Sequence, residues 1–201
     1  MHKLRFLLPF IMTISLFAQD DYSLRVAYGH ASDNTLGDIV SGDLSSHNKD
    51  LTVLALDGGY LLKDGAFDLP LDFYVKGNIS RYDESAVNLN DVYEIAVYIK
   101  AYWNFDFLDN RVRFGFGEGL SYTSDILYVE AEDEDSDGKT SHLLNYLDIS
   151  LDFDFGRLIN YKPLHDTYIG WALKHRSGVG GLFNGVRGGS NYNTIYIEKD
   201  F

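Results

Sequence analysis

Cysteine is absent from the 201 residues, so neither disulfides nor thiolate metal sites can hold this fold together. Proline is scarce at 3 residues while aromatics reach 15%, which excludes a disordered, low-complexity chain. After residue 18 no apolar run approaches the roughly 20 residues that a membrane-spanning helix needs. Positive charge is also short. The 17 Lys and Arg stand against 30 Asp and Glu, a formal net charge of −13, and duplex nucleic acid is bound by neutralising its phosphates. Nucleic acid is therefore not an expected partner.

What is present begins with a leader. Lys3 and Arg5 precede a mostly apolar run from Phe6 to Phe17 that ends on the small residue Ala18, the pattern of a secretory signal peptide. The run is too short to span a bilayer and is interrupted by Pro9, Thr13 and Ser15. Residues 1–18 are thus expected to be cleaved, leaving 19–201 as one domain.

Period-two alternation, the mark of strands whose two faces meet different surroundings, runs through that domain. Residues 92 to 105 place Tyr93, Ile95, Val97, Ile99, Ala101, Trp103 and Phe105 on one face, with Glu94, Tyr98, Lys100, Tyr102 and Asn104 on the other. Residues 142 to 155 repeat the scheme, setting Leu143, Leu147, Ile149, Leu151, Phe153 and Phe155 against Asp148, Ser150, Asp152 and Asp154. Strands of about 12 to 14 residues exceed the usual soluble length of 5 to 6. A soluble sandwich would bury the apolar face, whereas a membrane barrel turns it toward lipid and the polar face toward its lumen.

Parity alone does not choose between the two, and loop lengths favour the barrel. Strands are predicted at 22–30, 50–62, 70–80, 92–105, 112–122, 142–155, 166–177 and 192–201. Tight turns fall at Lys63-Asp64-Gly65 and Asp109-Asn110, with a moderate one from Gly156 to His165. Between them lie long loops at about 31–49, 81–91, 123–141 and 178–191. This alternation is that of an all-β, eight-stranded antiparallel transmembrane β-barrel of the outer-membrane type. Its short turns and both termini would face the periplasm and its long loops the outside. Phe201, with Ile197 and Ile195 on its face, resembles the C-terminal assembly signal of such barrels, from which Lys199 departs. Eight strands enclose a space that side chains can fill. Arg25, Asp72, Lys76, Glu94, Lys100, Arg113, Asp148 and Asp152 are expected to pair inside it.

The seventh strand carries the most informative residues. Ile169, Trp171, Leu173, His175 and Ser177 share its lipid-facing side, with His175 and Ser177 at the extracellular end. Two positions apart on one strand face, they stand about 6 to 7 Å apart at Cα, within range for an imidazole to activate a hydroxyl. As a bare pattern, His-x-Ser also suits polar residues at a headgroup interface. Here it lies at the depth of a lipid A acyl ester.

With these residues the chain resembles the outer-membrane lipid A 3-O-deacylases of the PagL type, eight-stranded barrels with a lipid-facing His-x-Ser near the outer surface. The resemblance covers the whole chain in architecture and residues 175–191 in motif. It implies His175 as base and Ser177 as nucleophile, with lipopolysaccharide in the outer leaflet as partner. The family follows its serine with Asn, where this chain has Gly178. It places Glu about a dozen residues later, where this chain reads Gly188-Gly189-Ser190, so the acid that would orient the imidazole is not in its usual place.

Substitutes are sought on neighbouring strands. Glu118 shares a face with Phe114, Phe116, Leu120 and Tyr122, an unusual place for a carboxylate, and Asn145 interrupts the apolar series Leu143, Leu147 and Ile149. Glu118 as acid and Asn145 as orienter are expected to join His175 and Ser177 in one polar cluster, unless a bulge turns Glu118 inward. Gly178, Gly180, Gly181 and Asn184 could supply oxyanion donors. Asp133, Asp135 and Asp137 with Gly138 begin a calcium-loop pattern. The twelfth position is Leu144 rather than Glu, leaving a solvated acidic loop or loose Ca²⁺ or Mg²⁺ binding. His30, His47, His142 and His165 show no metal-ligand spacing, and the serine chemistry itself calls for no metal. The leading expectation is an outer-membrane serine esterase that removes an ester-linked acyl chain from lipid A. The alternatives are a non-enzymatic small barrel for envelope integrity, adhesion or partner binding, and an acyltransferase using the same pair.

Overall fold

A computed structural model describes residues 21–133 and 138–201. The expected signal peptide at 1–18 lies outside these residues, as do Asp135 and Asp137 of the acidic loop. Eight strands form one closed antiparallel barrel in sequence order: β1 Tyr22–Ser32, β2 Thr52–Lys63, β3 Leu71–Asp83, β4 Val92–Phe107, β5 Asn110–Thr123, β6 Leu143–Asp154, β7 Thr167–Ser177 and β8 Gly189–Asp200. Closure of β1 on β8 leaves no unpaired sheet edge.

The period-two pattern does what a bilayer requires. Outward positions are apolar and open, as at Val97 (64% exposed) and Ile195 (70%), while each intervening side chain points into the barrel. Tyr93 and Tyr122 stand exposed at the loop end and Tyr22, Tyr60 and Phe105 at the end carrying the termini, two aromatic girdles of the kind that mark membrane interfaces. Among the described residues no helix is long and apolar enough to cross a membrane. The chain is an integral membrane barrel, crossing with its strands.

The lumen is filled by paired charge. Arg25 bonds Asp57 at 3.0 Å and Asp148 at 2.6 Å, and Asp148 also receives Lys100. Lys76 meets Glu198 at 2.7 Å, Arg113 meets Asp152 at 3.0 Å, and Lys174 meets Glu94 at 2.5 Å. Buried charges need such partners, because each pays a large desolvation penalty alone. Small residues make the room: a Cβ on Gly117 would stand 2.9 Å from the Tyr98 ring and 3.0 Å from Lys100 Cδ. Asp72 departs from the expected lumen set. It sits at the mouth that carries the termini, half-buried, where it accepts hydrogen bonds from the Gly65 N–H at 3.0 Å and from Asn104 Nδ2 at 2.6 Å.

At the opposite mouth, loop residues Leu51 and Leu127 pack on Val53, Tyr82 and Tyr192 and close the lumen with an apolar layer. Beneath the short helix Tyr128–Glu132, Glu130 receives Arg176 from β7. Two boundaries differ from the sequence expectation in ways that matter: β3 runs on to Asp83, and β8 starts at Gly189 rather than 192. The last long loop is correspondingly shortened to 178–188.

Candidate active site

Parity on β7 fixes where the candidate residues point. Lys174 and Arg176 are buried in the lumen, so His175 and Ser177 between and beyond them face outward. Cross-strand register then sets two transverse rows. One reads Glu118, Leu147, His175, Asn191 and Ser32 across β5, β6, β7, β8 and β1. The row above it reads Leu120, Asn145, Ser177 and Gly189.

His175 finds its partner on β8. Its Nδ1 lies 2.7 Å from Asn191 Oδ1, and Asn191 Nδ2 donates to the Asn34 carbonyl at 2.8 Å. That second bond settles the amide's orientation, making Oδ1 the acceptor. Nδ1 therefore carries the imidazole proton, and Nε2 is left with its lone pair. Asn191 was missed from sequence because residues 178–191 read as loop. The alternation Ile197, Ile195, Asn193, Asn191, followed two steps further, would have extended the strand and put both asparagines on the outer face.

Glu118 faces outward, with no bulge turning it into the lumen, and accepts a hydrogen bond from Asn145 Nδ2. The other Asn145 amide hydrogen goes to the Gly119 carbonyl at 3.2 Å. Leu147 stands between Glu118 and His175 in their shared row. The orienting position at Nδ1 is filled by Asn191, so neither Glu118 as acid nor Asn145 as orienter stands at it. Asn145 is instead the direct cross-strand neighbour of Ser177.

Three of the four expected oxyanion donors, Gly178, Gly181 and Asn184, are otherwise engaged. The Gly178 N–H donates to the Gly188 carbonyl at 3.1 Å, and the Gly181 N–H to the Gly178 carbonyl at 3.1 Å. Asn184 Nδ2 donates to Ser141 Oγ at 3.0 Å. Between them the chain turns sharply, with φ at +47° for Val179 and +63° for Gly180. A β-branched residue in the left-handed region is strained. Val179 and Gly180 line, with Ser177, a cleft of about 680 Å³ at the rim that carries the long loops. Asn34, Asp133, His175, Arg187 and Asn191 share it.

Asp133, expected in a solvated acidic loop or one binding Ca²⁺ or Mg²⁺ loosely, accepts a hydrogen bond at Oδ2 from the Gly189 N–H at 2.8 Å. Among the described residues no group of three or more His, Asp or Glu is arranged to hold a metal ion. A further polar interruption of the outer wall is Asn193, one row below Asn191, whose amide atoms are buried without hydrogen-bond partners among the described residues.

No protein-family model matches this sequence, and no curated protein matches it. Among solved structures the chain is similar to the outer membrane enzyme PagL, with a TM-score of 0.61 and 11% identity over 89% of this chain and 99% of that one. It is also similar to Neisserial surface protein A (NspA), with a TM-score of 0.51 and 14% identity over 91% of this chain and 98% of that one. Both likenesses are of fold, and they make the barrel one of the outer-membrane type.

Proposed function

We propose that this outer-membrane barrel is a serine esterase that removes an ester-linked acyl chain from lipid A in the outer leaflet, with Ser177 as nucleophile, His175 as base and Asn191 as the residue that orients the base. The observation carrying this reading is the 2.7 Å bond from His175 Nδ1 to Asn191 Oδ1. With the Nδ1 proton directed to Asn191, Nε2 is the ring nitrogen we assign as base toward Ser177, two residues along the same strand face. The same logic of base and orienter operates with asparagine in cysteine proteases.

In the proposed reaction Ser177 Oγ attacks the ester carbonyl carbon while His175 Nε2 takes its proton. The tetrahedral oxyanion collapses, breaking the bond to the sugar oxygen, which receives that proton. Water then attacks the acyl-serine with His175 again as base, releasing the fatty acid and restoring the hydroxyl. The N–H groups of Val179 and Gly180 are the donors we assign to the oxyanion. The polar cleft suits a headgroup, and the exposed apolar wall below, at Leu151 and Ile195, suits an acyl chain. The fold likeness to the enzyme PagL supports this reading together with the outward His-x-Ser.

An amide in the orienting position favours a second reading, a non-enzymatic barrel like a surface protein. It holds the tautomer but does not neutralise the imidazolium as a carboxylate does. Mass spectrometry of lipid A incubated with wild type and Ser177→Ala decides. Loss of one acyl chain with wild type and not with the variant is the expected result. An unaltered lipid A profile with wild type, under conditions where a known deacylase works, would sink the esterase reading. Equal deacylation by both proteins would remove Ser177 as nucleophile.

A further inference from the structure

The acidic segment after Leu127 is left without a role by the proposed chemistry, yet it reaches the back of the site twice. Glu130 Oε1 accepts a hydrogen bond from Arg176 Nη1 on β7 and another from Ser190 Oγ on β8 at 2.8 Å. Arg176 is the residue between His175 and Ser177, and Ser190 is the residue before Asn191. One carboxylate oxygen thus ties the two strands together from the lumen side, directly behind the pair that meets on the outer side. Three residues on, Asp133 Oδ2 accepts the Gly189 N–H at 2.8 Å, and Gly189 is the β8 partner of Ser177.

We propose that Glu130, seconded by Asp133, is a positioning residue that holds the His175–Asn191 hydrogen bond in register through Arg176 and Ser190. The assignment deepens the esterase reading without requiring it, since the bond it protects is visible without catalysis. Its physical basis is the position of the site at the end of a ladder. The β7–β8 pairing stops at Ser177 and Gly189, and the His175–Asn191 pair is only two residues inside that end. Strand ends open most readily in a folded protein, and beyond this one a single backbone bond follows, from the Gly178 N–H to the Gly188 carbonyl at 3.1 Å. The brace supplies a substitute from a third element. Arg176 is itself fixed by Ser121 Oγ at 2.8 Å, Thr123 Oγ1 at 3.2 Å and the His142 carbonyl at 3.0 Å. Glu130 is thereby fixed relative to β5 as well.

The brace also accounts for Gly188. A side chain there would lie against the Asp133 carboxylate, so the residue next to β8 must be small for the loop to dock. The extracellular loop and the outer-wall site are then one mechanical unit.

The test uses the full barrel refolded in detergent, with ¹⁵N-labelled histidine, in wild type, Glu130→Ala and Glu130→Gln. Retention of the folded barrel in each variant is checked by its gel mobility before and after heating. In wild type the His175 ring, assigned by comparison with His175→Ala, is expected to show a single tautomer protonated at Nδ1. Glu130→Ala is expected to mix the tautomers, and Glu130→Gln, which keeps an acceptor oxygen, to restore the wild-type signature largely. In the lipid A assay kcat should fall about 10- to 100-fold in Glu130→Ala with KM little changed, the mark of a misplaced base. A folded Glu130→Ala barrel with an unchanged His175 spectrum overturns the brace, whatever the enzyme assay gives. A wild-type protein that fails to hydrolyse lipid A while Glu130→Ala still disturbs the His175 spectrum overturns the esterase reading alone. Should neither Ala nor Gln fold, Ser190→Ala, which removes the 2.8 Å bond from β8 only, carries the same comparison, and an unchanged spectrum there counts against the brace.

Discussion

His175 Nδ1 and Asn191 Oδ1 approach to 2.7 Å across β7 and β8, while the Asn191 amide nitrogen is anchored on the Asn34 carbonyl at 2.8 Å. The anchor matters as much as the contact. A free asparagine could flip and offer its N–H₂ to the imidazole, reversing the tautomer and leaving Nε2 protonated and useless as a base. Loop residue 34 therefore selects the form of His175 that the proposed chemistry needs.

Replacing Asn191 by Leu removes both bonds. The expected outcome is a fall in kcat of about 10²-fold with a smaller change in KM, since an orienting interaction acts on the reacting geometry more than on binding. Steady-state kinetics on lipid A in mixed micelles measures it. A kcat unchanged within twofold would show that the imidazole needs no partner at Nδ1.

Val179 holds φ at +47° beside Ser177, a conformation that disfavours a β-branched side chain. Val179→Gly relieves that strain and should raise unfolding stability by about 1 kcal/mol, read from urea titration in detergent. The same change should lower activity if the turn presents N–H groups to an oxyanion, because glycine lets the loop wander. Lowered stability would mean that the Val179 side chain contributes more by packing than the backbone loses.

On the lipid-facing wall Asn193 carries a buried amide without hydrogen-bond partners among the described residues. Asn193→Leu should stabilise the barrel by about 1 to 3 kcal/mol, the usual penalty of an unsatisfied buried polar group, and leave the His175 spectrum as in wild type. Destabilisation in the same titration would indicate that the amide has a partner in the membrane.

Asp148 receives both Arg25 and Lys100 in the centre of the lumen. Asp148→Asn leaves those two cations short of a counter-charge and should cost about 3 to 5 kcal/mol, seen as a lower urea midpoint. A midpoint shifted by less than the equivalent of about 1 kcal/mol would imply that water enters the lumen and screens the pair.

Glu84 lies in the loop after β3, buried, with one oxygen accepting the Tyr128 N–H at 2.8 Å and the other without a partner among the described residues. Burial pushes its carboxyl above the usual glutamate value; the Tyr128 N–H opposes this, and the nearby Glu130 and Asp125 charges add to the rise. An acid whose folded value is raised stabilises the fold fully below its unfolded value, near 4.5, and loses that contribution as pH climbs through the folded value. Hydrogen exchange at the amides of residues 126–131 should therefore speed up relative to the intrinsic rate as pH rises above about 4.5. Glu84→Gln should flatten the profile and increase protection at neutral pH. A wild-type profile already flat would mean that Glu84 titrates normally.

Much of this architecture could be read in advance because a barrel wall imposes a strict two-residue period. Val97, Ile99 and Leu151 must face lipid and Lys100, Asp148 and Asp152 must not, so strand identity, face and loop alternation follow from local pattern. The same parity placed His175, Ser177, Glu118 and Asn145 on the outer wall. What the pattern could not convey is which of them meet. Contact between strands depends on register and on where each strand begins, and a shift of three residues in the start of β8 decided that Asn191 and not Glu118 stands at the imidazole. Likewise Asp133 reads as part of a solvated or loosely cation-binding acidic loop because its neighbours are acidic, while its bond to Gly189 comes from a loop folded back over the mouth. Alternation is a property of one strand and is written in its own residues. The partners of His175 and Glu130 are properties of closure, and closure exists only once all eight strands have paired.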